Sequence, residues 1–217
     1  MEGTENRMRK EMNFDYYYWG PLLFKTKLDK KVTDRLLREG KKSTVWAVPN
    51  LAGIIENELY FDQKTYDWFE PVIANIGMAY LKFLTTKWLS RSIEADIHSI
   101  KLRKLWINFM RENESNPLHT HMHCHLSFVT FLKIPNLKKE RADYVGKASG
   151  AGSLTFFYGT PEFFCNNGQT FDPVIGDLYI FPYNLQHAVI PYRTKGQRIS
   201  VAGNLSFLDK SGNVSYL

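Results

Sequence analysis

Cysteine is scarce: the 217 residues hold two, Cys124 and Cys165. That is too few for a disulfide framework and fits a reducing compartment or free thiols in a core. Long apolar runs are missing as well. None approaches the roughly 20 residues that cross a bilayer, so no membrane partner is expected. The opening stretch, MEGTENRMRKEMNF, lacks the apolar centre of a secretion signal, which makes a cytoplasmic location the expectation. Internal repeats and low-complexity linkers are absent too. The net charge of +6 comes without an Arg-rich stripe. Basic residues are scattered over Lys25–Lys31, Arg35–Lys42, Lys101–Lys104 and Lys138–Arg141, as on a solvated surface. Nucleic acid is therefore not an expected partner, whereas an anionic small molecule is compatible. Nothing in the composition argues against a homodimer.

Apolar residues make up 44% of the chain and aromatics 15%, enough for a sizeable core. Met1–Met12 is polar and expected to be flexible. In the aromatic stretch that follows, Leu22–Leu28 reads as a strand, and Tyr16–Trp19 as either a flap on the core or a substrate contact. Asp29–Glu39 reads as a short helix, with Val32, Leu36 and Leu37 at helical spacing. Lys41–Leu59 has no legible pattern. A longer helix is expected around Asp62–Trp88, where Val72, Ile73, Ile76, Ala79, Tyr80, Phe83 and Leu84 form one stripe suited to packing on a sheet. Pro71 should mark its main start or a kink. After Ile100, short apolar runs alternate with Gly/Pro/Asn clusters: Leu102–Met110, Leu126–Ile134, Ser153–Tyr158, Asp177–Pro182, Ala188–Pro191 and Arg198–Phe207. That cadence predicts an antiparallel sandwich or barrel with the helices covering one sheet.

Within NPLHTHMHCHLSFVTFLKI, His119, His121, His123 and His125 alternate. On an extended chain, positions two apart share a face, so a strand here would aim a row of imidazoles one way. His187 ends another apolar run. A His-x-His pair on one strand and a distant histidine on its neighbour make a divalent-metal site. His119, His121 and His187 fit that pattern, with His123 as the alternative to His121; His123 and His125 otherwise support the ligands. Three ligands with open positions describe a catalytic rather than a structural site.

Arg198 follows eleven residues after His187. If Thr194–Gly196 forms a hairpin turn, Arg198 runs back antiparallel to the strand after His187 and lies deeper than the metal. Arg198, Ser200, Ala202 and Asn204 then share one face. An unpaired interior arginine costs several kcal/mol. A dicarboxylate held between metal and guanidinium would satisfy it, and so would an internal partner such as Asp177 or Glu162.

The ordered series LWINF, NPLHTH, LSFVTFLKIP, GDLYIFPYNLQHAVIP and RISVAGN resembles the Fe(II)/2-oxoglutarate-dependent oxygenases. It is most similar to the small oxygenase group of bacteria and phages related to prolyl 4-hydroxylases. Trp106, Asn108, Asn116, His119, His121, Gly176, Pro182, His187, Arg198, Ser200 and Asn204 carry the likeness, which covers about Leu105–Phe207. It implies a mainly β fold, a double-stranded β-helix (jelly roll) over 100–208 with N-terminal helices packed on one sheet. Residues 13–99 would be a helical support region in a single domain spanning 1–217. It further implies Fe(II) on His119, His121 and His187, and 2-oxoglutarate on Arg198 and Ser200 with Asn108 and Asn204 nearby; ascorbate would be an accessory. O2 and a primary substrate complete the partners, in a bacterial or phage-infected cytoplasm. The implied activity is hydroxylation of a protein residue or small molecule with release of succinate and CO2.

Two departures stand out. Most of the superfamily has a carboxylate where His121 lies, so three imidazoles leave the site one negative charge short. A family glycine is replaced by Phe128, which could reshape the pocket. Phe156, Tyr158, Tyr179 and Phe181 are candidate pocket walls, and the loop Asn136–Gly152 could gate the substrate. Two other classes stay open: a three-histidine metal enzyme that does not use 2-oxoglutarate, such as a cupin-type dioxygenase or hydrolase, and a non-catalytic jelly-roll binding protein.

Overall fold

The computed structural model describes residues 20–85, 97–143, 150–163 and 165–215. The expectations for Met1–Met12, for Tyr16–Trp19 and for the helix end at Trp88 lie outside these residues.

The early strand is β1 (Phe24–Lys27), followed by α1 (Lys30–Gly40). The Asp29 side chain caps α1 by accepting from the Lys31 N–H. The stretch without a legible pattern holds β2 (Val45–Trp46) and β3 (Glu58–Tyr60), with a 3-10 turn over Val48–Asn50. Then comes α2 (Gln63–Phe83), whose Asp62 cap accepts from Thr65 N–H at 2.8 Å. The helix therefore begins at Gln63, just after its cap, rather than near Pro71, which lies inside it. Proline loses its own N–H bond there and crowds the carbonyl one turn back, and the packing of Phe69, Ile73 and Tyr80 into the core holds the turns on either side.

Eight strands follow: β4 (Ser99–Met110), β5 (Asn116–His119), β6 (Leu126–Lys133), β7 (Leu154–Phe157), β8 (Gly168–Phe171), β9 (Asp177–Pro182), β10 (Gln186–Val189) and β11 (Arg198–Leu208). A short helix, α3 (Lys138–Ala142), separates β6 from β7. One sheet runs β1-β9-β6-β11-β4-β3-β2 and the other β5-β10-β7-β8. Pairing within β4–β11 is antiparallel throughout, and chain-order neighbours alternate between the two sheets except at β7 and β8, which pair with each other. This order is the double-stranded β-helix that the sequence led us to expect.

Strand alternation divides the interior into two layers. On β4 and β11, Leu105, Ile107, Phe109, Ile199, Val201 and Leu205 face the helices in one apolar cluster. Met110, Phe131, Leu154, Phe156, Tyr179 and Phe181 form the second. Phe128 belongs to the helix-side layer, with its ring 6.0 Å from Phe69. It fills this layer of the core and also lines a narrow cavity between the two sheets. Gly203, its register partner, must be glycine: a Cβ there would meet the Phe128 ring and the Lys104 carbonyl oxygen, both at 2.5 Å.

Candidate metal centre

Register brings two of the histidines together. His119 ends β5 and is the direct partner of His187 on β10, so their rings stand 4.2 Å apart between centroids. His121 has already left the strand, and its N–H donates to the Tyr183 carbonyl at 2.8 Å. One ring nitrogen from each of the three lies within 4.8 Å of the others. The expected row of four imidazoles is corrected at this point. The strand stops at His119, and His123 adopts φ +60° on an exposed turn. His125 turns away to stack on Phe207 at 4.8 Å and accepts from the Phe207 N–H at 3.1 Å. His123, the alternative to His121, is not in the group.

Two tautomers are fixed by the backbone. His119 Nδ1–H donates to the Pro117 carbonyl at 2.7 Å, and His187 Nδ1–H to the Leu185 carbonyl at 2.9 Å. A carbonyl only accepts, so each Nδ1 carries the proton and each Nε2 keeps its lone pair. His121 Nε2 is 3.3 Å from His187 Nε2. Two nitrogens each about 2.1 Å from one ion and spaced this way would subtend about 100° at it. That is a comfortable angle for tetrahedral or octahedral coordination. Burial, reinforced by the neighbouring imidazoles, lowers His121 and His187 to about 3. Burial also lowers His119, against its bond to Pro117. All three are neutral donors at ordinary pH. The donor set fits a divalent transition metal.

Arg198 opens β11 and is 2% exposed. Its N–H donates to Tyr192 Oη at 3.0 Å, and that hydroxyl donates to the Met110 carbonyl at 2.6 Å. The guanidinium lies over the Phe131 ring, 4.7 Å from its centre, and reaches Ser200 Oγ at 3.5 Å. Its Nε and Nη2 have no hydrogen-bond partner among the described residues. The internal partners considered from sequence do not serve it: Asp177 pairs with Lys25 at 2.6 Å, and Glu162 is exposed. Burial lowers Arg198 to about 10, which leaves it charged at neutral pH.

The hairpin expectation is also corrected. β10 and β11 belong to opposite sheets, and Arg198 pairs with Met110 of β4. The jelly-roll crossover, not a hairpin, carries the chain from histidine to arginine. The two still converge, because Arg198 and the three histidines line one narrow cavity between the sheets.

Asn108 and Ser200 line the same cavity, joined by Asn108 Nδ2–H to Ser200 Oγ at 3.3 Å. Asn204 does not reach it. The Asn204 Oδ1 accepts from Ser127 Oγ at 3.1 Å, and the residue borders a wider outer mouth of about 210 Å³. Of the candidate walls, Phe181 and Phe156 flank His187 at 4.7 and 5.9 Å. Tyr179 is buried core beside Lys25, and Tyr158 is exposed. The loop Asn136–Gly152 begins as α3, tied down by Glu140, which accepts from the Arg193 and Thr194 N–H groups at 2.8 Å; residues 144–149 lie outside the described residues.

Sequence reasoning missed Glu58 and Lys104, which also line the mouth. The stretch around Glu58 has no periodicity, and only the pairing of β3 with β4 reveals which way it faces.

The chain matches, over residues 104–204, the model of a family described as "Putative 2OG-Fe(II) oxygenase". No curated protein matches it in sequence. Among solved structures it is similar to a prolyl-4-hydroxylase of Pseudomonas putida, with TM-score 0.53 and 14% identity over 84% of this chain and 91% of that one. It is also similar to HygX of Streptomyces hygroscopicus, solved with nickel, 2-oxoglutarate and hygromycin B bound. There the TM-score is 0.55 and the identity 10%, over 86% of this chain and 82% of that one. At these identities the two structures speak for the fold.

Proposed function

We propose that this chain, which belongs to the Fe(II)/2-oxoglutarate-dependent oxygenase superfamily, holds iron on His119, His121 and His187 and grips the far carboxylate of 2-oxoglutarate with Arg198. The observation that carries this reading is the guanidinium: buried, unpaired at two nitrogens, and in the same cavity as the three imidazoles. A carboxylate accepting from Arg198 and Ser200 would satisfy donors that the fold leaves open. Three neutral imidazoles cancel none of the metal's charge, so the cavity as a whole favours a dianion.

Bound together, iron, 2-oxoglutarate and O2 supply oxidative decarboxylation to succinate and CO2, with one oxygen atom delivered to a C–H bond of a primary substrate. The protein's part is positional. The Pro117 and Leu185 carbonyls fix the ring orientations of His119 and His187. Phe181 and Phe156 wall the His187 side with carbon and keep water from it. Tyr192 anchors the backbone from which Arg198 reaches inward. The primary substrate, a protein residue or small molecule undergoing hydroxylation, enters by the outer mouth.

Succinate formation from 2-oxoglutarate by the Fe(II)-supplemented protein tests this reading. Arg198→Ala should weaken 2-oxoglutarate binding far more than metal binding. Equal losses, or metal binding with no affinity for 2-oxoglutarate in the intact protein, would favour a three-histidine enzyme that does not use it.

A further inference from the structure

The outer mouth contains a second unsatisfied charge, opposite in sign to Arg198. Glu58 lies across from Asn108 in the β3–β4 register, so the two side chains share one face of the sheet. It lines the mouth beside Asn116, His119 and His121. Its side chain is fully buried at 0% exposure, yet neither carboxylate oxygen has a donor among the described residues. The same is true of Asn108 Oδ1 and Asn116 Oδ1.

The surroundings do not supply the missing donor. Gly53 lies against the carboxylate, so that a Cβ there would sit 2.9 Å from Oε1. The neighbouring charge that acts on Glu58 is Glu114, of the same sign. Lys104, also at the mouth, makes no hydrogen bond to either Glu58 oxygen. Four acceptor atoms therefore line two adjoining cavities, which share Asn116, His119 and His121, with nothing to accept from.

A dianion cannot fill this role, because 2-oxoglutarate brings only acceptors and would be repelled. The inner cavity offers donors at Arg198 and the outer mouth offers acceptors at Glu58. Burying a carboxylate unpaired is costly, and a cation with several N–H groups relieves that cost. We propose that Glu58, assisted by Asn108 and Asn116, is the specificity-determining residue for the primary substrate, receiving its protonated nitrogen as an alkylammonium or guanidinium. This rests on the oxygenase reading for what happens to the bound molecule, but the binding itself needs neither metal nor cosubstrate.

Calorimetric titration of the full chain at pH 8 tests it. The probes are the N-acetyl amides of lysine and arginine, with those of norleucine and citrulline as uncharged counterparts. Each is titrated into the protein alone and again with Zn(II) and 2-oxoglutarate present. The cationic probes should bind at least tenfold more tightly than the neutral ones. Glu58→Gln should reduce that preference to within twofold while melting no lower than the wild type. Equal binding of charged and neutral probes to the wild type, no binding of any probe in either condition, or a preference that survives in Glu58→Gln would each overturn the assignment. Failure to form succinate would count against the oxygenase reading and leave a charge preference in this titration standing, so the two can fail separately.

Discussion

Replacing Glu58 with glutamine should stabilise the protein, and the gain should grow with pH. Burial, with a smaller push from Glu114, raises the Glu58 carboxyl from 4.5 to about 7. Because the folded-state value is the higher one, the unfolded chain loses this proton first as pH rises. Between about 4.5 and 7 the native state binds more protons than the unfolded state, so stability falls with rising pH. At roughly 1.4 kcal/mol per pKa unit, a rise from 4.5 to about 7 costs the wild type about 3 kcal/mol above pH 7 relative to acid. Glutamine keeps the shape and has nothing to ionise. Urea unfolding of both proteins at intervals from pH 4 to pH 8, in the absence of ligand, measures the difference directly. The stability of Glu58→Gln minus that of wild type should rise by about 3 kcal/mol across the window and level off above pH 7. A flat difference would mean that Glu58 ionises normally. A difference that falls with pH would mean that the carboxylate has a cationic partner and is not buried unpaired.

Arg198→Met, which replaces an unpaired buried charge with carbon, should leave the ligand-free protein at least as stable as wild type and abolish the rise in melting temperature caused by 2-oxoglutarate; thermal unfolding with and without the diacid reads both. His121→Ala should reduce metal affinity by at least tenfold in an equilibrium titration, whereas His123→Ala, on its exposed turn, should change it by less than twofold. Gly203→Ala should destabilise the fold by about 1–3 kcal/mol in urea unfolding, because its Cβ would lie 2.5 Å from both the Lys104 carbonyl and the Phe128 ring.

Much of the fold was legible where strands are long and bounded by turn residues. β6 and β9 each read as an apolar run ended by Pro, β11 as one that follows the turn at Thr194–Gly196, and the helical stripe of α2 is plain in Ile73, Ile76 and Tyr80. Short strands were not legible: β8 (Gly168–Phe171) is four residues of mixed polarity, held by pairing with β7 rather than by its own pattern. The histidine row shows where periodicity misleads. Alternation holds only while the chain stays extended, and this chain leaves the strand after His119 and turns at His123. The meeting of His119 with His187 depends on the β5–β10 register, which spacing in sequence does not contain. Glu58 was invisible for the same reason: its role follows from lying opposite Asn108, fifty positions away in the chain.

In the proposed complex His119, His121 and His187 hold one ion while Arg198 holds the far end of a diacid. The most direct measurement is a crystal structure of the protein grown without oxygen with Fe(II) and 2-oxoglutarate, with anomalous density recorded at the iron edge. The density should show a single anomalous peak within bonding distance of all three Nε2 atoms and a carboxylate paired with Arg198. Iron bound elsewhere, or a diacid that leaves the guanidinium unpaired, would contradict it.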